Sequence, residues 1–294
     1  MTLPSPTHPG SQGGGPPASP RVAEFLLAFD AGPGAAIAAR ANGSGELTAS
    51  LTRLQVGHDP FTHGTIDGFL PDSLYAAVLR DWPADSELSA VPLPGTDTPS
   101  GGYVGTHTTR LLQEWHADEL PMAWSATGEQ ARTSQTWDRV SAALRSPAFV
   151  RGVFTRFAKT IEANLATLGD TAAGQPGFRL YLSLDQGPEE ALGAHVDALR
   201  KLLTIVVYLD LAGAVDNDSE QLWGTALYDT AAGAVRPVEF SANSAHRLAH
   251  RIGFTANRAF LMPNDSRALH GVAGGQAGVV RRTLMCGYWL FDQP

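Results

Sequence analysis

The most restrictive feature of this sequence is a change of period near Gly177. From there onward, short apolar segments alternate with turn residues, namely FRLYLSL, LLTIVVYL, WGTALYD, VRPVEF, RAFLMP and RRTLMCGYWL. Several short strands at this spacing are typical of an all-β barrel or sandwich. Because helical segments come first and strands follow, without βαβ alternation, the pattern argues against a doubly wound nucleotide-binding fold.

The part of the chain before Gly177 has helical periodicity. The segment FTHGTIDGFLPDSLYAAVLRDWP predicts a strand followed by a helix that begins near Asp72, and TWDRVSAALR predicts a second helix that stops near Pro147. Apolar residues at 3–4 spacing predict the core-facing side of a longer helix that follows. These residues are Val150, Val153, Phe154, Phe157, Ile161 and Leu165.

These patterns divide the chain into three parts. Residues 1–20 are dominated by Pro, Gly and Ser, which bury almost nothing, and are expected to be disordered. Residues 21–60 are a short N-terminal segment to which the sequence assigns no role. Residues 61–294 are predicted to form one domain, with helical support in 61–170 and a β core in 177–294.

A stretch rich in Pro, Gly, Thr and Ser, residues 83–136, interrupts the helical part. Its composition predicts loops. Loops held by a rigid scaffold often carry binding residues. We therefore expect Tyr103, Arg110 and Trp115 to line the opening of a site.

The composition excludes several classes of partner. Of the 294 residues, 43% are hydrophobic and 17% charged, as in ordinary globular proteins, and the formal charge is −8. Nucleic acids and anionic membrane surfaces reward clustered Lys and Arg, so neither is an expected partner. A single cysteine, Cys286, fits a reducing cytoplasm and is expected to be a small core residue. With neither a membrane-length apolar run nor a secretory signal, a cytoplasmic location is expected.

A candidate metal site begins with the segment AHVD. His195 and Asp197 stand two residues apart, a spacing that places both side chains on one face of a strand. The segment MPNDSRALHGV supplies His270 before another strand. Two histidines and one carboxylate on one face of an octahedron are the arrangement used by non-haem Fe(II) oxygenases. The three residues are therefore a predicted metal site.

Two other features bear on this prediction. His246 and His250 in AHRLAHR have the i, i+4 spacing of a helical zinc site, but no Glu stands between them as in H-E-x-x-H. A solvated basic face is the simpler interpretation. Arg281 opens the last apolar strand, where its planar guanidinium needs an anionic partner such as a carboxylate.

In this order, AHVD, WGTALYD, ALHGV and RRTL resemble the Fe(II)- and 2-oxoglutarate-dependent oxygenase superfamily, in its prolyl-4-hydroxylase-like branch. The resemblance implies a mainly β fold with N-terminal helices, an α+β double-stranded β-helix (jelly-roll or cupin-like barrel) buttressed by helices. It implies that His195, Asp197 and His270 hold Fe(II). It also implies a dioxygenase that uses 2-oxoglutarate and O₂ to hydroxylate an unactivated C–H bond, with release of succinate and CO₂.

The same resemblance implies a cosubstrate pocket on the last strand. The family's R-x-S/T pattern falls on Arg281 and Thr283, which would bind the distal carboxylate of 2-oxoglutarate. Arg282 has the opposite parity and is expected to face outward. A register shift by one residue would exchange the two arginines, so the sequence leaves this assignment open.

Three further residues are implied in the pocket. Tyr208 matches a family position that can hydrogen-bond the distal carboxylate, and Thr204 shares its strand face. Tyr181 stands where some members place a tyrosine near the iron end of the cosubstrate, although its spacing from His195 is longer than usual.

The sequence leaves two alternatives and the substrate open. One alternative is a non-redox cupin-like protein that binds a metal or another ligand, which would have no need of the carboxylate clamp formed by Arg281 and Thr283. The other is an oxygenase-like regulatory protein without turnover. A small molecule, a carrier-bound group and a peptidyl side chain all remain possible substrates, and the sequence does not indicate an oligomeric state.

Overall fold

The computed structural model describes residues 20–31, 44–88, 108–116, 122–123, 134–169, 174–186, 192–216, 218–230, 240–274 and 276–291. The predicted disordered tail lies outside the described residues except for Pro20. The predicted strand VRPVEF also lies outside them except for Phe240, and so does Tyr103.

The described strands fall into a short N-terminal set and a long C-terminal series. In chain order they are β1 Gln55–Gly57, β2 His63–Ile66, β3 Thr108–His116, β4 Met122–Ala123, β5 Gln175–Gln186, β6 Leu192–His195, β7 Lys201–Gly213, β8 Thr225–Tyr228, β9 Leu248–Ile252, β10 Arg258–Pro263, β11 His270–Val272 and β12 Val279–Phe291.

The strands form two antiparallel sheets. The larger has the order β1-β2-β10-β7-β12-β5-β3-β4, and the smaller has the order β6-β11-β8-β9. From β5 to β12 the chain passes between the two sheets repeatedly, so that strands distant in sequence become neighbours. This winding is a double-stranded β-helix, which confirms the predicted fold class, although the two sheets do not close into a barrel.

Helices cover the outer face of the larger sheet. They are α1 Pro20–Ala31, α2 Ser44–Ser50, α3 Asp72–Arg80, α4 Gln135–Leu144 and α5 Pro147–Leu168, with short 3-10 helices at Leu51–Arg53 and Asp85–Glu87. A short helix α6, Ser219–Leu222, and a 3-10 helix at Asn243–Ala245 lie among the C-terminal strands. Proline occupies the first turn of α5, where its missing N–H costs nothing. The six residues predicted to face the core from α5 are all buried. No helix in the described ranges is long and apolar enough to span a membrane.

Two apolar clusters position the strands. The larger joins the helices to the larger sheet and includes Phe154, Phe157 and Tyr288. A smaller cluster lies between the two sheets and includes Val206, Leu227 and Phe260. Burial of apolar surface, at roughly 25 cal/mol per Å², is the main favourable contribution in both places.

One prediction for residues 83–136 was wrong. Thr108–His116 is not a loop but β3, which pairs with β5 and extends the larger sheet. The sequence did not indicate this strand because it contains the polar residues Gln113 and Glu114. In the structure Gln113 bonds Asp138 and Glu114 pairs with Arg179, so both polar side chains are buried with partners. Trp115 is 1% exposed and packs in the core against Phe29, so it does not line an opening.

Candidate functional site

The smaller sheet brings His195 and His270 together. His195 is the last residue of β6 and His270 the first of β11, and the two are direct partners in the antiparallel register. Their ring centroids are 4.3 Å apart. Asp197 follows in the turn after β6, and ligand atoms of all three side chains lie within 4.8 Å of one another. The structure therefore assembles the three residues that the sequence singled out.

Both imidazole rings are oriented by the backbone of their own strands. Nδ1 of His195 lies 2.9 Å from the carbonyl oxygen of Gly193, and Nδ1 of His270 lies 2.9 Å from that of Ala268. A carbonyl oxygen only accepts, so Nδ1 carries the proton in each ring and Nε2 is left with the lone pair. Hydrogen bonds of this kind fix ring orientation in metal-binding histidines.

The histidines are held in their neutral form. Burial lowers the pKa of His195 to about 3, and the neighbouring His270 lowers it further than Asp197 raises it. Burial also lowers the pKa of His270. Metal ions bind neutral imidazole, so both rings are in the protonation state that a metal requires near neutral pH.

The carboxylate of Asp197 presents its two oxygens to different groups. Oδ1 lies 3.8 Å from Nε2 of His195. Oδ2 accepts a 2.6 Å hydrogen bond from the Thr204 hydroxyl and a 3.0 Å bond from the Lys201 ammonium. Burial would raise the pKa of Asp197, but the charge of Lys201 and the hydrogen bond from Thr204 lower it overall. One oxygen is thus left to bind a metal while the other is fixed in place.

Lys201 is a buried cation beside the site. Its side chain is 4% exposed, and Nζ also donates to the Tyr181 hydroxyl at 3.2 Å. Burial would lower the pKa of Lys201, but Asp197 and Tyr181 raise it overall. Burial raises the pKa of Tyr181. Lys201 therefore stays protonated and compensates the charge of Asp197.

Two other side chains shape this end of the site. Asn264 is fully buried and donates through Nδ2 to the carbonyl oxygens of Asp197 and Ala198, at 3.1 and 2.6 Å. It therefore holds the turn that carries the carboxylate. Phe240 stacks on the ring of His195, with centroids 4.5 Å apart, and covers one face of that imidazole.

Arg281 and Thr283 lie on the inner face of β12 and are 2% and 0% exposed. The Arg281 guanidinium lies 5.3 Å from the centroid of the Tyr208 ring and bonds Asp185 on β5. Within the described part of the chain, neither Nε of Arg281 nor Oγ1 of Thr283 has a hydrogen-bond partner. Buried donors without partners are uncommon in proteins, and these two fit an acceptor such as a carboxylate.

Arg282 lies on the opposite face of β12. Its guanidinium bonds Asp85 and Asp210, on the side where the helices pack. Arg281 therefore faces inward and Arg282 faces outward, as the alternation of side chains along a strand predicted.

The remaining residues predicted for the pocket fall into two groups, one near Arg281 and one near the candidate metal ligands. Tyr208 is fully buried, and its hydroxyl lies 2.7 Å from Oγ1 of Thr225. The centroid of its ring lies 5.3 Å from the Arg281 guanidinium. Thr204 shares that strand face but bonds Asp197, at the metal end. Tyr181 lies at the same metal end, bonded to Lys201.

The residues present fit the two groups that the sequence resemblance implies. Two neutral imidazoles and a carboxylate match the donor preferences of a divalent transition metal such as Fe(II). The unpartnered donors on Arg281 and Thr283 match one carboxylate of 2-oxoglutarate.

Four residues of the site were missed in the sequence, namely Lys201, Asp185, Asn264 and Phe240. Lys201 carried one usable signal, because it stands four residues after Asp197 at the start of a strand whose first nine residues are buried. A lysine in that position needs an anionic partner. The other three give no comparable pattern.

His246 and His250 do not share a helix. His250 lies on β9, and His246 lies outside the strand with Nε2 2.6 Å from the Ser241 hydroxyl. Among the described residues, only His195, Asp197 and His270 form a cluster of metal-binding side chains.

Comparisons with known proteins find only distant structural likenesses. No protein-family model matches the sequence, and no curated protein sequence matches it. Solved structures similar to this chain include a prolyl-4-hydroxylase from Pseudomonas putida, at 14% identity, covering 84% of this chain and 100% of that chain with a TM-score of 0.45.

Two other solved structures are also similar to this chain. A prolyl hydroxylase from Trichoplax adhaerens, in complex with a hypoxia inducible factor peptide fragment, is 14% identical, with 84% and 88% coverage and a TM-score of 0.44. A 2OG-Fe(II) oxygenase family oxidoreductase from Burkholderia pseudomallei is 13% identical, with 84% and 90% coverage and a TM-score of 0.40. At such identities and TM-scores, these likenesses carry no argument about the family or the activity of this chain.

Proposed function

We propose that this protein is an Fe(II)- and 2-oxoglutarate-dependent dioxygenase that hydroxylates an unactivated C–H bond. One observation carries the proposal. His195, Asp197 and His270 converge within 4.8 Å in a buried site, with both Nδ1 atoms engaged by backbone carbonyls. That arrangement leaves two imidazole Nε2 atoms and one carboxylate oxygen for a single metal ion, with the remaining coordination positions open.

The unpartnered donors extend this proposal to the cosubstrate. Arg281 and Thr283 would bind the distal carboxylate of 2-oxoglutarate through Nε and Oγ1. Both are buried, so water does not compete strongly for these donors. A non-redox metal-binding protein has no need of an arginine and a hydroxyl placed in this way, which favours the oxygenase over the cupin-like alternative.

The side chains around the metal ligands have supporting roles in this proposal. Thr204 and Lys201 hold Oδ2 of Asp197, so that Oδ1 points toward the metal position. Asn264 holds the backbone of the same turn. The oxidising power comes from the bound metal with 2-oxoglutarate and O₂. The protein supplies orientation, charge compensation and exclusion of water.

The substrate is proposed only by class, as a small molecule, a carrier-bound group or a peptidyl side chain. A panel of these classes tests the proposal. Purified protein is loaded with Fe(II) and 2-oxoglutarate without oxygen, O₂ is then admitted, and succinate is measured. Substrate-dependent succinate release that is absent from His270→Ala is the expected result. No succinate above the His270→Ala background with any substrate class would contradict the proposal.

A further inference from the structure

The arginine assigned to the cosubstrate already has an anionic partner within the chain. Arg281 on β12 and Asp185 on β5 are direct partners in the antiparallel register, and Nη1 lies 2.5 Å from Oδ2. Their side chains are 3% and 0% exposed. The pair is therefore built into the sheet, and it is not a surface contact that solvent could replace.

This pair limits what Arg281 can offer to a ligand. The Nη1 end of the guanidinium faces Asp185, while Nε and the Thr283 hydroxyl are the donors without partners in the described chain. A carboxylate that accepts from these two donors would share one buried guanidinium with the carboxylate of Asp185. Arg282 cannot supply a second positive charge to this ligand, because it bonds Asp85 and Asp210 on the other face of the strand.

We propose that Asp185 is a specificity-determining residue that weakens the hold of this pocket on the distal carboxylate of 2-oxoglutarate. The inference rests on the proposed function. Asp185 neutralises Arg281 and repels a second anion, and repulsion between like charges is large where water is excluded. The wild-type pocket therefore prefers 2-oxoglutarate only modestly over a 2-oxo acid of the same length without a distal carboxylate.

The test compares Asp185→Asn with wild type. Asparagine keeps the shape of the side chain and an oxygen that accepts from Arg281, but it removes the charge. Asp210→Asn is the matched control, because Asp210 pairs with the neighbouring arginine on the opposite face. Dissociation constants for 2-oxoglutarate and for 2-oxovalerate are measured by calorimetry on Mn(II)-loaded protein without oxygen, so that the readout does not depend on turnover.

Asp185→Asn is expected to bind 2-oxoglutarate at least tenfold more tightly than wild type, with less than a twofold change for 2-oxovalerate. Asp210→Asn is expected to change neither constant. Unchanged or weaker binding of 2-oxoglutarate by Asp185→Asn would overturn the inference. So would a wild-type preference for 2-oxoglutarate over 2-oxovalerate of more than a hundredfold, a result that needs no variant to fold.

The same titrations separate this inference from the proposed function. If metal-loaded wild type binds neither keto acid, the proposed function fails and this inference fails with it. If wild type binds 2-oxoglutarate and Arg281→Gln does not, the clamp stands, and the Asp185→Asn result alone decides the inference.

Discussion

Replacing Lys201 by methionine tests how the Lys201 ammonium and a bound metal share the Asp197 carboxylate. Methionine retains most of the apolar stem but removes the ammonium group that lies 3.0 Å from Oδ2 of Asp197. Without metal, the Asp197 carboxylate is then buried without a cation. Removing one partner of a buried ion pair costs about 3–5 kcal/mol, and we expect the free energy of unfolding of the metal-free protein to fall by about that amount.

A bound divalent metal should restore part of this loss. In wild type the Lys201 ammonium repels a metal ion on the other oxygen of the same carboxylate, and Lys201→Met removes that repulsion. The Thr204 hydroxyl still holds Oδ2 at 2.6 Å, so the carboxylate keeps its orientation. We therefore expect Lys201→Met to bind Mn(II) at least tenfold more tightly than wild type, which corresponds to about 1.4 kcal/mol of additional stabilisation at saturating metal.

The assay is urea unfolding, followed by fluorescence, in EDTA and in excess Mn(II). Lys159→Met is the matched control, because Lys159 is the chain's other lysine and lies exposed on α5. Thr204→Val should have the opposite effect on Mn(II) binding to Lys201→Met. It removes a hydrogen bond that orients Asp197 without changing charge, and should weaken Mn(II) binding by about tenfold or more. An equal loss of stability in Lys201→Met with and without metal would refute the reasoning.

Three further predictions concern the ligands and the clamp. His270→Ala should abolish tight Fe(II) binding in equilibrium dialysis, because two ligands do not complete the site, and wild-type affinity in this variant would remove His270 from it. Arg281→Gln should weaken 2-oxoglutarate binding more than tenfold in calorimetry while Arg282→Gln changes it little, and the reverse ranking would contradict the strand register. The folded-state pKa of His195 is lowered from 6.5 to about 3, so stability is present above pH 6.5 and is lost as pH falls. Urea unfolding of metal-free protein should lose about 1.4 kcal/mol per pH unit from this residue between pH 6 and 4, and a His195→Gln variant with the same slope would contradict its neutral burial.

The sequence predicted the features that depend on local pattern. The apolar strand segments after Gly177 predicted an all-β barrel or sandwich, because buried strands require such runs wherever they pair. The double-stranded β-helix was implied by the resemblance of the motifs to the oxygenase superfamily. The H-x-D spacing with a later histidine gave the cluster, since antiparallel pairing of β6 with β11 places His195 opposite His270. The two-residue period of a strand was enough to place Arg281 and Arg282 on opposite faces of β12.

The sequence did not predict the features that depend on pairing between distant residues. β3 carries buried polar groups whose partners lie on α4 and β5, so its composition was typical of a loop. Asp185 stands at the end of an apolar run, where a carboxylate normally marks the solvated end of a strand. Its partner Arg281 is 96 residues away, and only the β5–β12 register brings the two together.

Anomalous diffraction at the iron edge tests the central claim most directly, using crystals equilibrated without oxygen with Fe(II) and 2-oxoglutarate. The predicted result is one strong peak per chain bounded by Nε2 of His195, an oxygen of Asp197 and Nε2 of His270, with keto-acid density reaching from it toward Arg281. Metal bound elsewhere, or no metal bound between these three side chains, would contradict the proposed function.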